Sequence, residues 1–354
     1  MQLGHQVRQA LTIKHERIAW FPSIRGATVV AALVSIALAT GHESAALYLG
    51  IGSLFAGIAT INDPTVSRRA EGILIALSLA LGTLLGSLLA PYAGWNVFTI
   101  GVLSVIAGFV ACMGRRAALV GTVFIANYAV NVGLPHPPGS ILPATLMMLI
   151  GALMQVTAIE VWDITRRRQL DPAAPVAQTP SALLRSHLTA RDPFVWHAIR
   201  LAIAEVIAMT LGTLLGIDHG YWIPLTVAFI LLPDTLGTAT QVIGRIVGTF
   251  AGLAVLVIAI NAGFVGRWQA VVAVGIGALL SYALGQENYA FSVAGITISI
   301  LVLDSFVGQS ILTNVPLRFE CTLLAAGITI SVWLFTSPWK RWIRSAQPPT
   351  PTMR

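Results

Sequence analysis

Apolar residues fall along this chain in runs of about 16 to 20, the length at which a helix crosses the core of a bilayer. The runs predict spans near 26–41, 45–61, 72–90, 97–113, 117–133 and 141–161, and again near 198–216, 221–233, 243–260, 268–284, 289–304 and 315–335. Apolar positions are contiguous within each run, whereas barrel strands would alternate apolar and polar residues. Many runs are rich in Gly and Ala, which suits helices that pack closely on one another. The pattern therefore predicts an all-α polytopic membrane protein of about twelve transmembrane helices.

The polar segment 164–195 splits the runs six and six, which predicts three units. These are a first six-helix repeat with an N-terminal segment (1–163), a linker (164–195), and a second repeat with a C-terminal tail (196–354). The halves echo each other at Arg25 and Arg200, at Gly41 and Gly216, at Arg69 and Arg245, and at Pro143 and Pro316. Six spans return the chain to its starting side, so a second copy would insert in the same orientation, as a parallel repeat. The other explanation is that short Gly/Ala/Leu-rich helices resemble one another by chance.

Composition agrees with the pattern. The chain is 56% hydrophobic and only 10% charged, with a mean hydropathy of +0.81, against about 25% charged residues in soluble domains. The net charge of +7 raises the question of nucleic acid, but its placement answers otherwise. All but Arg267 and Arg318 of the 21 Lys and Arg residues fall on one side of the expected topology. That bias predicts both termini and the linker in the cytoplasm. Residues 1–22 hold Arg8, Lys14 and Arg17 and no long apolar stretch, so the first span is expected to act as an uncleaved insertion signal. Two cysteines, Cys112 and Cys321, predict no disulfide, and no ligand cluster suggests a metal.

The stretch Gly220–Thr249, GYWIPLTVAFILLPDTLGTATQVIGRIVGT, departs most from a plain span. An apolar run stops at Pro233, a Thr-rich break containing Thr235 and Thr238 follows, and then Arg245 introduces Gly248 and Thr249. Non-helical backbone at membrane depth survives where protein or a water cavity receives its polar groups. Arg245 at the inner end of its span has two readings: an anion contact, or a structural donor to carbonyls freed at Pro233. Arg69 has the same two readings, and Arg68 beside it tilts it toward topology. Asn127 and Asn131, one turn apart, would line a path or join helices. Glu205 lies inside its span, as proton carrier or as ion-pair partner of Arg245 or Arg200. Asp304 and Glu320 lie toward outer ends, with Arg318 expected to neutralise one of them. Tyr221 and Trp222 fit an interfacial belt, and Gly248 fits close packing.

Gly220–Thr249 resembles the signature of the fusaric-acid-resistance-like (FUSC) membrane domain of the aromatic acid exporter superfamily. The resemblance is carried by Tyr221, Trp222, Pro224, Thr226, Pro233, Thr235, Thr238, Thr240, Arg245, Gly248 and Thr249. The first half keeps Arg69 and Gly72 but has Ile73 where the threonine belongs and no Tyr-Trp pair. Arg318-Phe-Glu320-Cys-Thr322 resembles the family's last helix more loosely. The resemblance implies transport of organic anions, commonly aromatic carboxylates moving outward, across a bacterial inner (plasma) membrane. Plant aluminium-activated malate transporters look like distant relatives with six spans per subunit, paired as dimers. The chain would then be a pseudo-dimer in itself or a member of a homo-oligomer.

His-Glu-x-x-His, Gly-x-Ser-x-Gly and a Walker lysine are missing, so neither a catalytic residue nor a cofactor is expected. The sequence reads as a secondary-active exporter of organic anions, with the bilayer and the anion as partners. A passive anion channel is the first alternative, and a membrane enzyme or assembly partner the second.

Overall fold

The computed structural model describes residues 18–61, 68–134, 139–165, 180–189, 192–285 and 287–345, without the side chains of Pro180, Thr235, Leu236 and 337–345. Among them every regular element is helical. The helices are α1 (Trp20–Ala39), α2 (Glu43–Thr60), α3 (Arg68–Leu89), α4 (Ala93–Val110), α5 (Arg115–Gly133) and α6 (Ile141–Thr165). Then follow α7 (Pro180–Ser186), α8 (Pro193–Leu214), α9 (Trp222–Ile230), α10 (Thr235–Asn261), α11 (Arg267–Ala283), α12 (Tyr289–Ser305) and α13 (Ile311–Ser345).

Each expected span has a helix, and among the described residues eight helices are long and apolar enough to cross a membrane: α1–α4, α6, α8, α10 and α13. α12 is apolar but has 17 residues. α11 also has 17, and the 19 residues of α5 include Arg115, Arg116, Asn127 and Asn131. α9 is the outlier. Its nine residues rise only about 13 Å, less than half of a hydrocarbon core.

The expected Thr-rich break is mostly helix. α10 begins at Thr235, where Asp234 caps it by accepting the Gly237 N–H. The true interruption is Leu231–Asp234. Thr238 fastens it, accepting the Leu232 N–H at 3.1 Å and lying 2.8 Å from the Asp234 carbonyl. Arg200 donates to the carbonyl of Pro233 at 3.4 Å. The polar groups released at the break are thus met by Thr238 and Arg200 rather than by Arg245.

Small residues set the helix contacts. α3 meets α5 at Gly82 and Gly86, where a Cβ would stand 3.1 Å from Phe124 O and 2.5 Å from Tyr128 O. α10 meets α12 at Gly248 and Gly252, where a Cβ would overlap Ala290 O and stand 2.7 Å from Ala294 O. In both pairs the glycines are four residues apart, one face of a helix. Contacts also cross between the halves: α4 packs along α8, and α11 packs along α1. At the first crossing Gly108 abuts Ala198. At the second, Tyr282 fills the space left by Gly26 and Gly57, and its hydroxyl donates to Leu54 O at 3.1 Å.

The Arg69–Arg245 echo does not survive in three dimensions. Arg69 is the second residue of α3 and exposed, whereas Arg245 stands about 15 Å along α10 and is buried. With the glycine pairs aligned, Leu79 is the residue opposite Arg245.

Candidate functional site

A small cavity is lined by residues of both halves. From the first half come Ile51 and Phe55 of α2, Leu79 of α3, and Val123, Ala126, Asn127 and Val130 of α5. The second half supplies Tyr221, α9, Arg245 of α10, Ile296, Ile300 and Asp304 of α12, and Arg318 of α13. Its volume is about 30 Å³, room for about two waters. Phe55 and Phe229 stack across it with centroids 6.0 Å apart and planes 15° apart.

The wall is apolar apart from a few groups, and all of its charge comes from the second half. Arg245 is 2% exposed and Arg318 1% exposed. The Arg245 Nη2 lies 3.4 Å from the Thr226 hydroxyl, and its guanidinium sits 5.7 Å from the Phe229 centroid. The Arg318 guanidinium lies 5.0 Å from the Trp222 ring, whose other neighbour is the stacked His219 at 4.6 Å. Such contacts offset part of the cost of burying a cation. Much of each fork is still unused: Arg245 Nε and Arg318 Nε and Nη1 have no hydrogen-bond partner. Asp304 is 3% exposed, and its Oδ2 likewise lacks a partner. Among the described residues neither arginine has a carboxylate within 4 Å.

Four of the sequence candidates therefore meet in one place: Arg245, Asn127, Asp304 and Arg318. Asn127 also ties α5 to α3, donating to Leu79 O and to the Thr83 hydroxyl at 2.9 Å. Asn131 continues that link, donating to Asn127 O at 2.8 Å, and is not among the lining residues. Tyr221 and Trp222 are buried at the cavity rather than arrayed as an interfacial belt. Pro224 lies in the first turn of α9, where its missing N–H costs nothing. Thr249 is buried behind Gly248.

Other candidates lie elsewhere. Arg69 pairs with Glu160 at the end of α6. There Arg68 also holds Glu160 at 2.9 Å and Asp163, while Arg25 stands 3.6 Å from Asp163. This is an ion-pair cluster at a helix end. Glu320 is exposed, so Arg318 does not neutralise it. Glu205 is fully buried with both carboxyl oxygens unpartnered, so the ion pair expected with Arg245 or Arg200 does not form. The Thr235 side chain lies outside the described residues. Sequence reasoning missed Phe55 and Phe229, because nothing marks a phenylalanine inside an apolar run. It also missed Glu160 and Asp163, whose charge at a helix end looked unremarkable.

Residues 207–332 match the family described as fusaric acid resistance protein-like. The second half carries a FUSC-like domain. That domain contains Arg245, Asp304 and Arg318, all three charges of the cavity. Among similar curated proteins, slr1298 of Synechocystis sp. is 30% identical over 154 residues, 42% of this chain and 20% of its own length. YhfK of Escherichia coli is 28% identical over 175 residues, covering 48% of this chain and 23% of its own. The inner membrane protein YccS of Escherichia coli is 27% identical over 162 residues, or 45% and 22%. The chain thus spans about a fifth of the length of these relatives. No solved structure matches. The FUSC-like match and the eight apolar helices make this a membrane protein.

Proposed function

We propose that the chain is a secondary transporter that carries organic, aromatic-carboxylate-like anions outward across an inner membrane. The observation that carries the reading is the pair of buried guanidiniums, Arg245 and Arg318, facing one aromatic-walled cavity with unused N–H donors. Guanidinium presents a planar fork that matches a carboxylate, and aromatic walls suit an apolar body. A buried cation with free donors is costly unless it is held for a partner.

The architecture we propose is two parallel six-helix repeats, 1–163 and 196–354, joined by a cytoplasmic linker and spanning twelve times with both termini cytoplasmic. The reciprocal packing of α4 on α8 and α11 on α1 supports it, as do the matched glycine pairs of α3 and α10. In this reading α9 crosses together with the Leu231–Asp234 break, shielded by its neighbours. The chain would be a pseudo-dimer whose second half holds the chemistry.

The test is counterflow of labelled benzoate in liposomes containing purified protein, with and without a proton gradient. Saturable exchange that Arg245→Gln and Arg318→Gln abolish is the expected result. Absence of any exchange by wild type would overturn the transporter reading.

A further inference from the structure

The three charges in the cavity have a sum, and that sum bears on what the cavity can accept. Arg245, Arg318 and Asp304 are the charged residues that line it, and each is at most 3% exposed. The remaining lining groups, including Asn127 and Tyr221, are neutral in their ordinary states. With all three ionised the site carries one net positive charge, surrounded by Ile51, Phe55, Leu79, Leu225 and Phe229. No basic side chain stands opposite from the first half, where Leu79 occupies the position matched to Arg245.

We propose that Asp304 sets the charge of the transported anion, so that the cavity selects monoanionic carboxylates and rejects dianions. This rests on the transporter reading and adds a selectivity residue to it. One carboxylate brings the cavity to neutrality. A second leaves an uncompensated negative charge in an apolar enclosure, the situation in which a buried charge is most costly. Asp304 contributes repulsion rather than contact: it lines the cavity, and its Oδ2 has no hydrogen-bond partner to neutralise it. Specificity built on repulsion is as effective as specificity built on contact. In the described conformation the space is about 30 Å³, room for about two waters, so an aromatic ring enters only as the surrounding helices separate. The charge sum is unchanged by such movement, because all three side chains belong to the lining.

Benzoate and phthalate share a ring and differ by one carboxylate, and both are fully ionised at pH 8. Their binding to the full chain in detergent is measured by isothermal titration, with circular dichroism on the same samples. Wild type is expected to bind benzoate at least about tenfold tighter than phthalate. Asp304→Asn raises the cavity charge by one and should shift that ratio toward phthalate by about tenfold or more. Arg318→Gln brings the charge to zero and should lose benzoate. The double variant Arg318→Gln/Asp304→Asn restores one positive charge and should regain it, an outcome that a merely structural Asp304 would not produce. It also carries the test if Asp304→Asn alone fails to fold. A wild type that prefers phthalate, an unchanged ratio in Asp304→Asn, or a folded double variant that stays inactive toward benzoate overturns the charge rule while leaving transport intact. Failure of wild type to bind either acid overturns the transporter reading itself.

Discussion

Arg245 is buried about 15 Å along α10, with its guanidinium over Phe229 and part of its fork unused. Lysine keeps its charge and loses the planar fork, whereas glutamine loses the charge. Benzoate affinity should therefore fall in order, with Arg245→Lys intermediate and Arg245→Gln weakened about ten- to a hundredfold, the worth of one charged hydrogen bond. Folded yield should hold, since Arg200 and Thr238 satisfy the break. Titration and size-exclusion profiles on the same preparations check both halves of that statement. Glu205 gives the opposite expectation. Its carboxyl is buried without a partner, so Glu205→Leu removes an unsatisfied polar group of similar volume, worth about 1–3 kcal/mol. The midpoint of thermal unfolding in detergent should rise. A fall would mean that the carboxyl has a stabilising partner. Residues of this kind were legible because a polar atom inside an apolar run has to be accounted for. Arg245, Asn127, Asp304 and Arg318 announced themselves in that way. Arg69 misled because a sequence echo records spacing but not depth, and Phe55 and Phe229 were silent because apolar residues carry no such signal.

At the scale of elements, the short α9 and the early start of α10 are the departures from the hydropathy pattern. Asp234-Thr235-Leu236-Gly237-Thr238 looks like a loop by composition. Asp234 is nevertheless a helix cap, and Thr238 turns its hydroxyl back onto backbone. The cap was visible in the sequence, but the competing turn signal from Gly and Thr outweighed it. What decided between them is the packing of α10 on α12, a contact far apart in sequence. Gly248 is the tight point of that contact. Any side chain there collides with the Ala290 carbonyl, a backbone atom that cannot swing aside. Gly248→Val should therefore cost about 1–3 kcal/mol or more of stability, read as a lower unfolding midpoint and lower monodisperse yield. Gly327, with nothing within 4 Å of a built Cβ, is the control position, where Gly327→Ala should be tolerated.

For the molecule as a whole, the charge bias along the chain implies an orientation, and labelling can check it. In a background lacking Cys112 and Cys321, a single cysteine replacing Ser181 in α7 should resist an impermeant thiol reagent applied to intact cells. One replacing Ser140, just before α6, should react. The reverse pattern would invert the topology. The all-helical fold class was legible because hydropathy acts over single helices. The pairing of α4 with α8 and of α11 with α1 was not, because it joins surfaces far apart in the sequence. That crossed pairing has a consequence for how the protein is made. α1 is complete at Ala39, yet one of its partners, α11, begins only at Arg267. At roughly 5–20 residues per second, a ribosome needs tens of seconds to cover that distance. Through that interval the first-half residues Ile61 and Gln155 can close on Gly26, but the face of α1 around Ala31 that Gly275 of α11 will meet stays open, and insertion factors that shield young helices gain a long window in which to act.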